Sequence, residues 1–332
     1  MNVNYVVSLI AVMVLCLLAY VGAGPLGLEG LFGIILPYLA VVLFVYGVIY
    51  RLVEWARSPV PFRITTTAGQ QETLPWIKQD KFENPSGAGG VLVRMLLEVF
   101  LFRSLFRNTN ATLDANGKLS FRLEKWLWLF ALAFHYAFLA VILRHLRFFL
   151  EPVPVFIQLL ETLDGFLQVG LPVMMLSGVV LLGAVTFLFL RRLFVGRVRY
   201  ISLASDYFPL FLIFGIAFSG LLMRYFTKAS VVKIKELAMG LVTFHPVVPE
   251  GINVIFYIHL FLVSVLLAYF PLSKLMHMGG IFLSPTRNMT GNTRAVRHVN
   301  PWNHPVKIHT YQEYEDEFRE KMKEAGLPVE KE

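Results

Sequence analysis

The sequence predicts an all-α, polytopic membrane protein in which six transmembrane helices form a bundle. The 332-residue chain is 56% hydrophobic and only 16% charged, whereas soluble domains are about 45–50% apolar and about 25% charged. It also contains six apolar stretches close to the ~20 residues that a membrane-spanning helix needs. None of the six alternates in the manner of a transmembrane strand, which argues against a β-barrel.

The apolar stretches divide the chain into four predicted segments. Two N-terminal transmembrane helices occupy 1–53, a cytoplasmic loop with an interfacial helix 54–126, a four-helix core 127–283, and a cytoplasmic tail 284–332. We interpret the first stretch as a retained helix, because no positive charge precedes it as one would in a signal peptide. The six predicted spans are Tyr5–Gly24, Leu31–Val53, Leu127–Leu150, Phe166–Leu190, Tyr207–Tyr225 and Val254–Leu275.

The distribution of positive charge predicts the orientation. Ten Lys and Arg residues lie in Glu54–Lys125 and four in Arg191–Asp206, whereas Glu151–Gly165 has none. Because Lys and Arg accumulate on the cytoplasmic side, both termini are predicted to be cytoplasmic and the chain to lie in the cell membrane. The net charge of +8 therefore indicates a bilayer and not a nucleic acid. Three lysines, at 228, 233 and 235, fall on the predicted outer side against this trend.

Two segments outside the spans are predicted to be amphipathic helices. Val91–Arg107 carries charges at helical spacing in an apolar run, which is typical either of an interfacial helix with arginines toward the headgroups or of a helix packed on the bundle. Tyr311–Ala325 carries one apolar stripe, and it is predicted to pack on the chain's own loop or on a soluble partner. Between them, the prolines of Asn300–Pro305 predict an extended segment.

The histidines are the residues that indicate chemistry. His135 and His145 are ten residues apart in the third span, and His259 and His277 are eighteen apart in the sixth. A b-type haem takes one axial imidazole on each face, so two helices with two histidines each predict two haems. The only cysteine, Cys16, cannot provide a covalent haem attachment or a cysteine-ligated iron–sulfur cluster. The haems would therefore be held non-covalently.

The antiparallel course of the two spans predicts how the histidines pair. Ten residues correspond to about 15 Å of helix and eighteen to about 27 Å. With the third span running outward and the sixth inward, His135 would lie level with His277, and His145 near His259. The unequal spacings require a tilted haem or a bent helix, and Pro271 is placed to bend the sixth span. The alternative is that these histidines serve a proton or ion transporter, or a membrane anchor, in a relay or structural role.

The block His135–Pro152 (HYAFLAVILRHLRFFLEP), followed by His259 and His277, resembles the gamma subunit of respiratory nitrate reductases. In that family, two histidines ten apart on one helix pair with two histidines eighteen apart on the last helix. The extra first span, the long basic loop and the tail motif NPWNHP resemble a sister branch, the cytochrome b subunit of the sulfite-reduction-associated Dsr (Hme) complex, with relatives in heterodisulfide reductases.

The resemblance implies a respiratory complex linked to sulfite or sulfate reduction. It implies a menaquinol site near the outer haem, a cytoplasmic iron–sulfur partner subunit, and further membrane and outer-side subunits. The chain would then be an electron-transfer subunit of a quinol-oxidising or quinone-reducing oxidoreductase, and not its terminal catalytic subunit.

Charged residues near the predicted outer ends of the spans are candidates for the quinol and haem sites. Arg224, with Arg144 and Arg147, is placed to bind the propionates of the outer haem. A quinol that is oxidised needs a proton acceptor, and the outer-side groups available are Glu151, Glu161, Asp164 and His245. For each of these residues, an ordinary interfacial role is the alternative.

Overall fold

The computed structural model confirms the all-α bundle with six helices able to cross a membrane. It describes residues 3–58, 60, 63, 69–113, 116–170, 172–295 and 308–331, so the extended segment predicted for Asn300–Pro305 lies outside the described residues. The six helices that are long and apolar enough to span a membrane are Asn4–Ala23, Leu31–Ala56, Lys125–Phe148, Leu176–Phe194, Ala204–Phe226 and Val254–Leu272.

The secondary structure follows the chain in this order. The helices are α1 (Asn4–Ala23), α2 (Leu36–Ala56, after a π-turn at Leu31–Ile35), α3 (Ala88–Leu101), α4 (Arg103–Phe106), α5 (Lys125–His145), α6 (Val155–Asp164), α7 (Leu176–Phe194), α8 (Gly196–Ile201), α9 (Ala204–Leu221, continued by a π-turn at Leu222–Phe226), α10 (Val231–Val242), α11 (Val254–Tyr269), α12 (His277–Leu283) and α13 (Tyr311–Glu324). Strands β1 (Thr109–Leu113) and β2 (Leu119–Leu123) lie between α4 and α5.

The bundle packs around α9 and α11. Helix α1 packs on both of them, α2 packs on α11, and α7 joins α9 to α5. The core is built from aliphatic residues of these helices, including Leu181 of α7, Leu212 of α9 and Leu262 of α11. Helices α5 and α11 do not pack closely on each other. They therefore face one another across a gap, and the predicted histidines lie on either side of it.

The fourth span begins ten residues later than predicted, at Leu176 in place of Phe166. The residues that were assigned to its start form a loop, in which Gln168 and Gly170 have positive φ angles of 50° and 82°. An α-helix cannot continue through this left-handed backbone. Apolar composition alone therefore placed the start of this span incorrectly, and the short helix α6, which packs on α5, precedes the loop.

The sixth span ends at Pro271, where the sequence predicted a bend. Helix α11 stops at Tyr269 and two 3₁₀ turns follow, so that His277 begins the separate helix α12. Pro271 is buried against α2, where a Cβ added at Gly47 would lie 2.6 Å from the Pro271 Cβ. Arg51 Nε also donates a hydrogen bond to the Pro271 carbonyl, at 3.2 Å. Helix α2 therefore fixes the position of the break.

The loop that was predicted to be cytoplasmic contains more structure than the sequence predicted. The antiparallel hairpin β1–β2 pairs Ala111 with Phe121 and Leu113 with Leu119, and was not predicted. In α3, the apolar side chains of Leu92 and Leu96 are exposed, whereas Arg94 and Glu98 are only 2% and 5% exposed. Of the two alternatives for this helix, Arg94 and Glu98 therefore agree with packing on the protein, because both side chains are turned inward and not toward headgroups.

Helix α13 confirms the amphipathic helix predicted near the C-terminus. It begins with a capping box, in which Thr310 and Glu313 hydrogen bond to each other's backbone N–H groups. The chain then folds back, and buried Glu315 accepts the N–H groups of Glu330 and Lys331 at 2.8 and 2.9 Å. The far end of the predicted apolar stripe is covered at Met322, whereas its tyrosines remain about half exposed.

Candidate haem-binding site

The structure brings the four membrane histidines together as two pairs. The ring centroids of His135 and His277 are 5.9 Å apart, and those of His145 and His259 are 6.3 Å apart. The first pair lies between α5 and the start of α12, and the second lies between the C-terminal end of α5 and α11. Each pair thus bridges the gap between two elements that do not otherwise pack closely.

Hydrogen bonds at Nδ1 set the orientation of every ring. His135 Nδ1 lies 2.7 Å from the Ala131 carbonyl, and His145 Nδ1 lies 2.7 Å from the Val141 carbonyl. His277 Nδ1 lies 2.9 Å from the Lys274 carbonyl. Because a carbonyl only accepts, Nδ1 carries the proton in these three rings and the Nε2 lone pair is free.

The fourth ring is held by a side chain. Ser219 Oγ donates to the Ile216 carbonyl at 3.0 Å and lies 3.0 Å from His259 Nδ1, whose N–H it can therefore accept. The neighbouring Gly220 leaves room for the His259 ring, because a Cβ at this position would lie only 3.3 Å from His259 Cε1. The sequence analysis missed both residues. The signal available was a Ser-Gly pair inside an apolar span.

These pairs fit haem iron. An iron held about 2 Å from each of two Nε2 atoms puts the ring centroids roughly 6 Å apart, which matches both pairs. Among the described residues no group hydrogen bonds to the Nε2 atom of any of the four rings. No group of three or more His, Cys, Asp or Glu that could hold a metal ion occurs in the described part of the chain. Paired imidazoles of this kind suit a metal whose other ligands come from a macrocycle.

The inner pair is bordered by a turn of the cytoplasmic loop. The Phe102 ring meets the His135 ring edge-on, with centroids 4.9 Å apart. Phe102 joins α3 to α4 with a left-handed φ of 49°. Helix α5 holds this turn, because Trp128 Nε1 donates to the Leu101 carbonyl at 2.7 Å and Tyr136 Oη to the Phe100 carbonyl at 3.0 Å. The loop is therefore attached to the helix that carries His135.

The predicted outer-side residues form ion pairs that attach α6 to the end of α5. Arg144 Nη1 lies 2.6 Å from Asp164 Oδ2, and Arg147 Nη1 lies 2.8 Å from Glu161 Oε1. Asp164 also accepts the N–H and the hydroxyl of Ser177, both at 2.6 Å. Asp164 is thereby fully engaged as an acceptor at the start of α7.

Two of the other candidates predicted for the outer side, Glu151 and His245, are exposed to solvent, whereas Arg224 is partly buried. Glu151 is 63% exposed and pairs with Lys235 of α10. His245 is exposed, and its Nδ1 lies 2.7 Å from the Thr243 carbonyl. Arg224 donates to the Val173 carbonyl at 3.1 Å, and no carboxylate among the described residues lies within ion-pair distance of it. The Nε atoms of Arg224 and Arg144 are buried without a hydrogen-bond partner among the described residues.

Comparison with known proteins places the chain in a family. The family model of the nitrate reductase gamma subunit matches residues 91–298. The chain is 51% identical over 279 residues to the Hdr-like menaquinol oxidoreductase cytochrome b-like subunit of Archaeoglobus fulgidus, a match that covers 82% of this chain and 83% of the relative. It is 46% identical over 275 residues to the subunit of the same name from Archaeoglobus profundus, covering 80% of this chain and 81% of that relative. The chain therefore belongs to the nitrate reductase gamma subunit family, and its relatives are named as cytochrome b-like subunits of Hdr-like menaquinol oxidoreductases.

Proposed function

We propose that this protein is a dihaem cytochrome b that transfers electrons across the membrane between menaquinol and a cytoplasmic partner. The observation that carries the proposal is the pair of facing imidazole couples, each with its Nδ1 atoms occupied. His135 and His277 would bind the iron of an inner haem b, and His145 and His259 that of an outer one. The names of the Archaeoglobus relatives include menaquinol oxidoreductase, which supports menaquinol as the substrate here.

Haem b bound in each pair supplies a one-electron Fe(III)/Fe(II) couple, so that a donor at one membrane face is connected to an acceptor at the other. With both termini in the cytoplasm, the outer pair faces a menaquinol site and the inner pair a cytoplasmic iron–sulfur subunit. Each electron that moves inward against a potential of 100 mV stores about 2.3 kcal/mol. Quinol oxidation with proton release on the outer side therefore conserves energy.

The residues around the outer pair suggest how protons leave. Asp164 is held by Arg144 and by Ser177 and would serve a structural role. Glu151 and His245 are exposed on the same side and are the better acceptors for protons that are released outward. Arg224, which has no carboxylate partner among the described residues, would bind a propionate of the outer haem.

The protein would belong to a respiratory complex that is linked to sulfite reduction and that contains further membrane and outer-side subunits. The Hdr-like name of the relatives supports a multisubunit complex, and the tail motif NPWNHP supports the narrower placement. A proton-relay function is disfavoured, because three of the four Nδ1 atoms are bonded to backbone carbonyls, which cannot pass a proton onward.

The experiment is a set of single alanine variants of the four histidines, analysed by potentiometric optical titration of the purified protein. His145→Ala and His259→Ala should each remove the same spectral component, and His135→Ala and His277→Ala should each remove the other. His245→Ala is the matched control and should retain both haems, because this histidine is exposed outside the pairs. Preparations that lack haem altogether, or a shared loss in His135→Ala and His259→Ala, would contradict the proposal.

A further inference from the structure

A cluster of arginines lies inside the cytoplasmic part of the protein. Arg63 and Arg94 are only 3% and 2% exposed. Arg63 Nη2 donates to the Glu83 carbonyl at 3.1 Å, and its Nη1 contacts Asn84 Oδ1. Arg287, from the segment after α12, contacts Glu98 and Ser104. The cluster thus joins three parts of the chain: the loop before α3, helix α3 with the turn that follows it, and the start of the tail.

The cluster carries more positive than negative charge. Its five arginines are at 63, 94, 103, 107 and 287, and the carboxylates that interact with them in the described structure are three, at 80, 83 and 98. The difference is 5 − 3 = 2 positive charges. The neighbouring stretches 59–68 and 296–307 contain no Asp or Glu in the sequence, so they cannot supply the missing negative charge.

Arg94 is the member of the cluster that lacks a partner. Its Nε and Nη1 atoms are buried and donate to no polar group of the described chain. Burial, together with the nearby Arg287, lowers the pKa of Arg94, and burial with Arg94 and Arg287 lowers that of Arg63 to about 10. A buried guanidinium with donors that have no hydrogen-bond partner is destabilising, so an additional anion at this position would stabilise the cluster.

The cluster is connected to the inner histidine pair. Glu98 lies one turn beyond Arg94 on α3 and accepts the Ser104 N–H at 3.2 Å. Ser104 follows Phe102 by two residues, and the Phe102 ring contacts the His135 ring. On the other side, Arg287 belongs to the segment that leaves His277 through α12. The charged face of α3 is therefore linked by hydrogen bonds to the turn that contacts His135, and to Arg287 in the segment that follows the helix beginning at His277.

We propose that Arg94 binds a propionate carboxylate of the inner haem, with Arg63 and Arg287 keeping its surroundings positive. This inference rests on the proposed function, since it requires a haem at His135 and His277. A guanidinium and a carboxylate form short, charge-assisted hydrogen bonds, and Arg94 has two buried nitrogens without a partner among the described residues that can donate to such a group. The burial of Arg94 favours an anion delivered from inside the protein over an acidic side chain of a cytoplasmic partner.

The test is a redox titration of the Arg94→Gln variant in the full complex, with both haem midpoint potentials resolved. A positive charge beside the propionate stabilises the reduced haem, so its loss should lower the inner midpoint. The expected change is about tenfold in the reduction equilibrium, or about 59 mV for one electron. The outer midpoint and the haem content of two per chain should be unchanged. Arg94→Lys retains the charge and should shift the inner midpoint less.

Arg107→Gln is the matched control, because Arg107 belongs to the same cluster but is 50% exposed and paired with Glu83. It should leave both midpoints unchanged. Unchanged midpoints in Arg94→Gln with two haems still bound would overturn this inference and leave the proposed function standing, whereas a wild-type protein without haem would overturn both. An equal fall in Arg107→Gln would also overturn the inference, since it would indicate a general charge effect.

A lipid phosphate is the other source of an anion, and native mass spectrometry separates it from the haem. Loss of a bound phospholipid from Arg94→Gln with unchanged midpoints would assign the cluster to lipid and refute the proposal. If Arg94→Gln does not accumulate, Arg63→Gln serves in its place. It should lower the inner midpoint in the same direction, and an unchanged inner midpoint in that variant counts against the proposal.

Discussion

The hydrogen bond between Ser219 and His259 provides the sharpest test of the outer site. Ser219 donates its own hydroxyl proton to Ile216 and so accepts the proton of His259 Nδ1. A hydrogen bond to the far nitrogen raises the basicity of the ligating nitrogen and fixes its tautomer. A more basic ligand stabilises the ferric iron more than the ferrous iron. Ser219→Ala should therefore raise the midpoint potential of the outer haem.

The size of the effect follows from the strength of one hydrogen bond. A net contribution of about 1 kcal/mol is typical, and 1.4 kcal/mol corresponds to roughly tenfold, or about 59 mV for one electron. The upper limit of the shift is therefore about 40 mV, reached if the whole hydrogen bond acts on the ferric state alone. The same 1 kcal/mol would weaken haem retention by about fivefold.

Ser264→Ala provides a matched control. Ser264 is a buried serine on α11, 5% exposed where Ser219 is 6% exposed, and its hydroxyl donates to the Leu260 carbonyl. It contacts neither histidine pair through any hydrogen bond of the described structure. Optical redox titration of both variants should show a shift of the outer midpoint in Ser219→Ala alone. Equal shifts in the two variants, or a shift confined to the inner haem, would refute the reasoning.

Three further predictions concern packing, the tail and acid stability. Gly220→Ala should lower the occupancy of the outer haem, because the added Cβ would crowd His259. Gly178→Ala is the control and should leave the haem content unchanged, because its Cβ would meet only the end of a leucine side chain, at 3.2 Å. The haem content of the two purified variants is the measurement. Glu315→Gln should speed amide exchange at the two C-terminal N–H groups it accepts, and equal exchange would contradict that role. Burial alone would raise the pKa of Glu83, but hydrogen bonds from two arginines lower it below its ordinary value. Glu83 therefore adds to the stability of the folded state above about pH 4.3, and this contribution is lost as the pH falls through the lowered pKa that Glu83 has in the folded protein. Proteolysis of the loop 54–126 should therefore increase only in that acidic range.

The sequence was sufficient for the fold class because membrane spans depend on length and apolar composition, which are local properties. It was also sufficient to select the four histidines, since polar residues at membrane depth are rare. It could not supply what depends on backbone conformation. The positive φ of Gln168 delays the fourth span, and the left-handed Phe102 directs a cytoplasmic turn onto His135. Phenylalanine and glutamine rarely adopt a left-handed backbone, so neither residue type predicts the conformation found at these two positions.

The outer contacts were partly predictable. Arginine and carboxylate candidates were named from their depth, but depth cannot tell which of them are already paired with each other. The structure pairs Arg144 with Asp164 and Arg147 with Glu161, and leaves Arg224 without a carboxylate partner among the described residues. Pairings of this kind arise between elements that are distant in sequence, so spacing carries no signal for them.

The interruption at Pro271 has a mechanical consequence for the two histidine pairs. Had α11 continued to His277, a displacement of the cytoplasmic segment would have been transmitted along one stiff rod to His259. With a pair of 3₁₀ turns between them, His277 moves with α12 and the tail, whereas His259 is anchored in the bundle by Ser219. In the proposed dihaem cytochrome, a protein that docks on α12 and the tail would therefore shift His277 without disturbing His259, so that the two haems could be tuned independently.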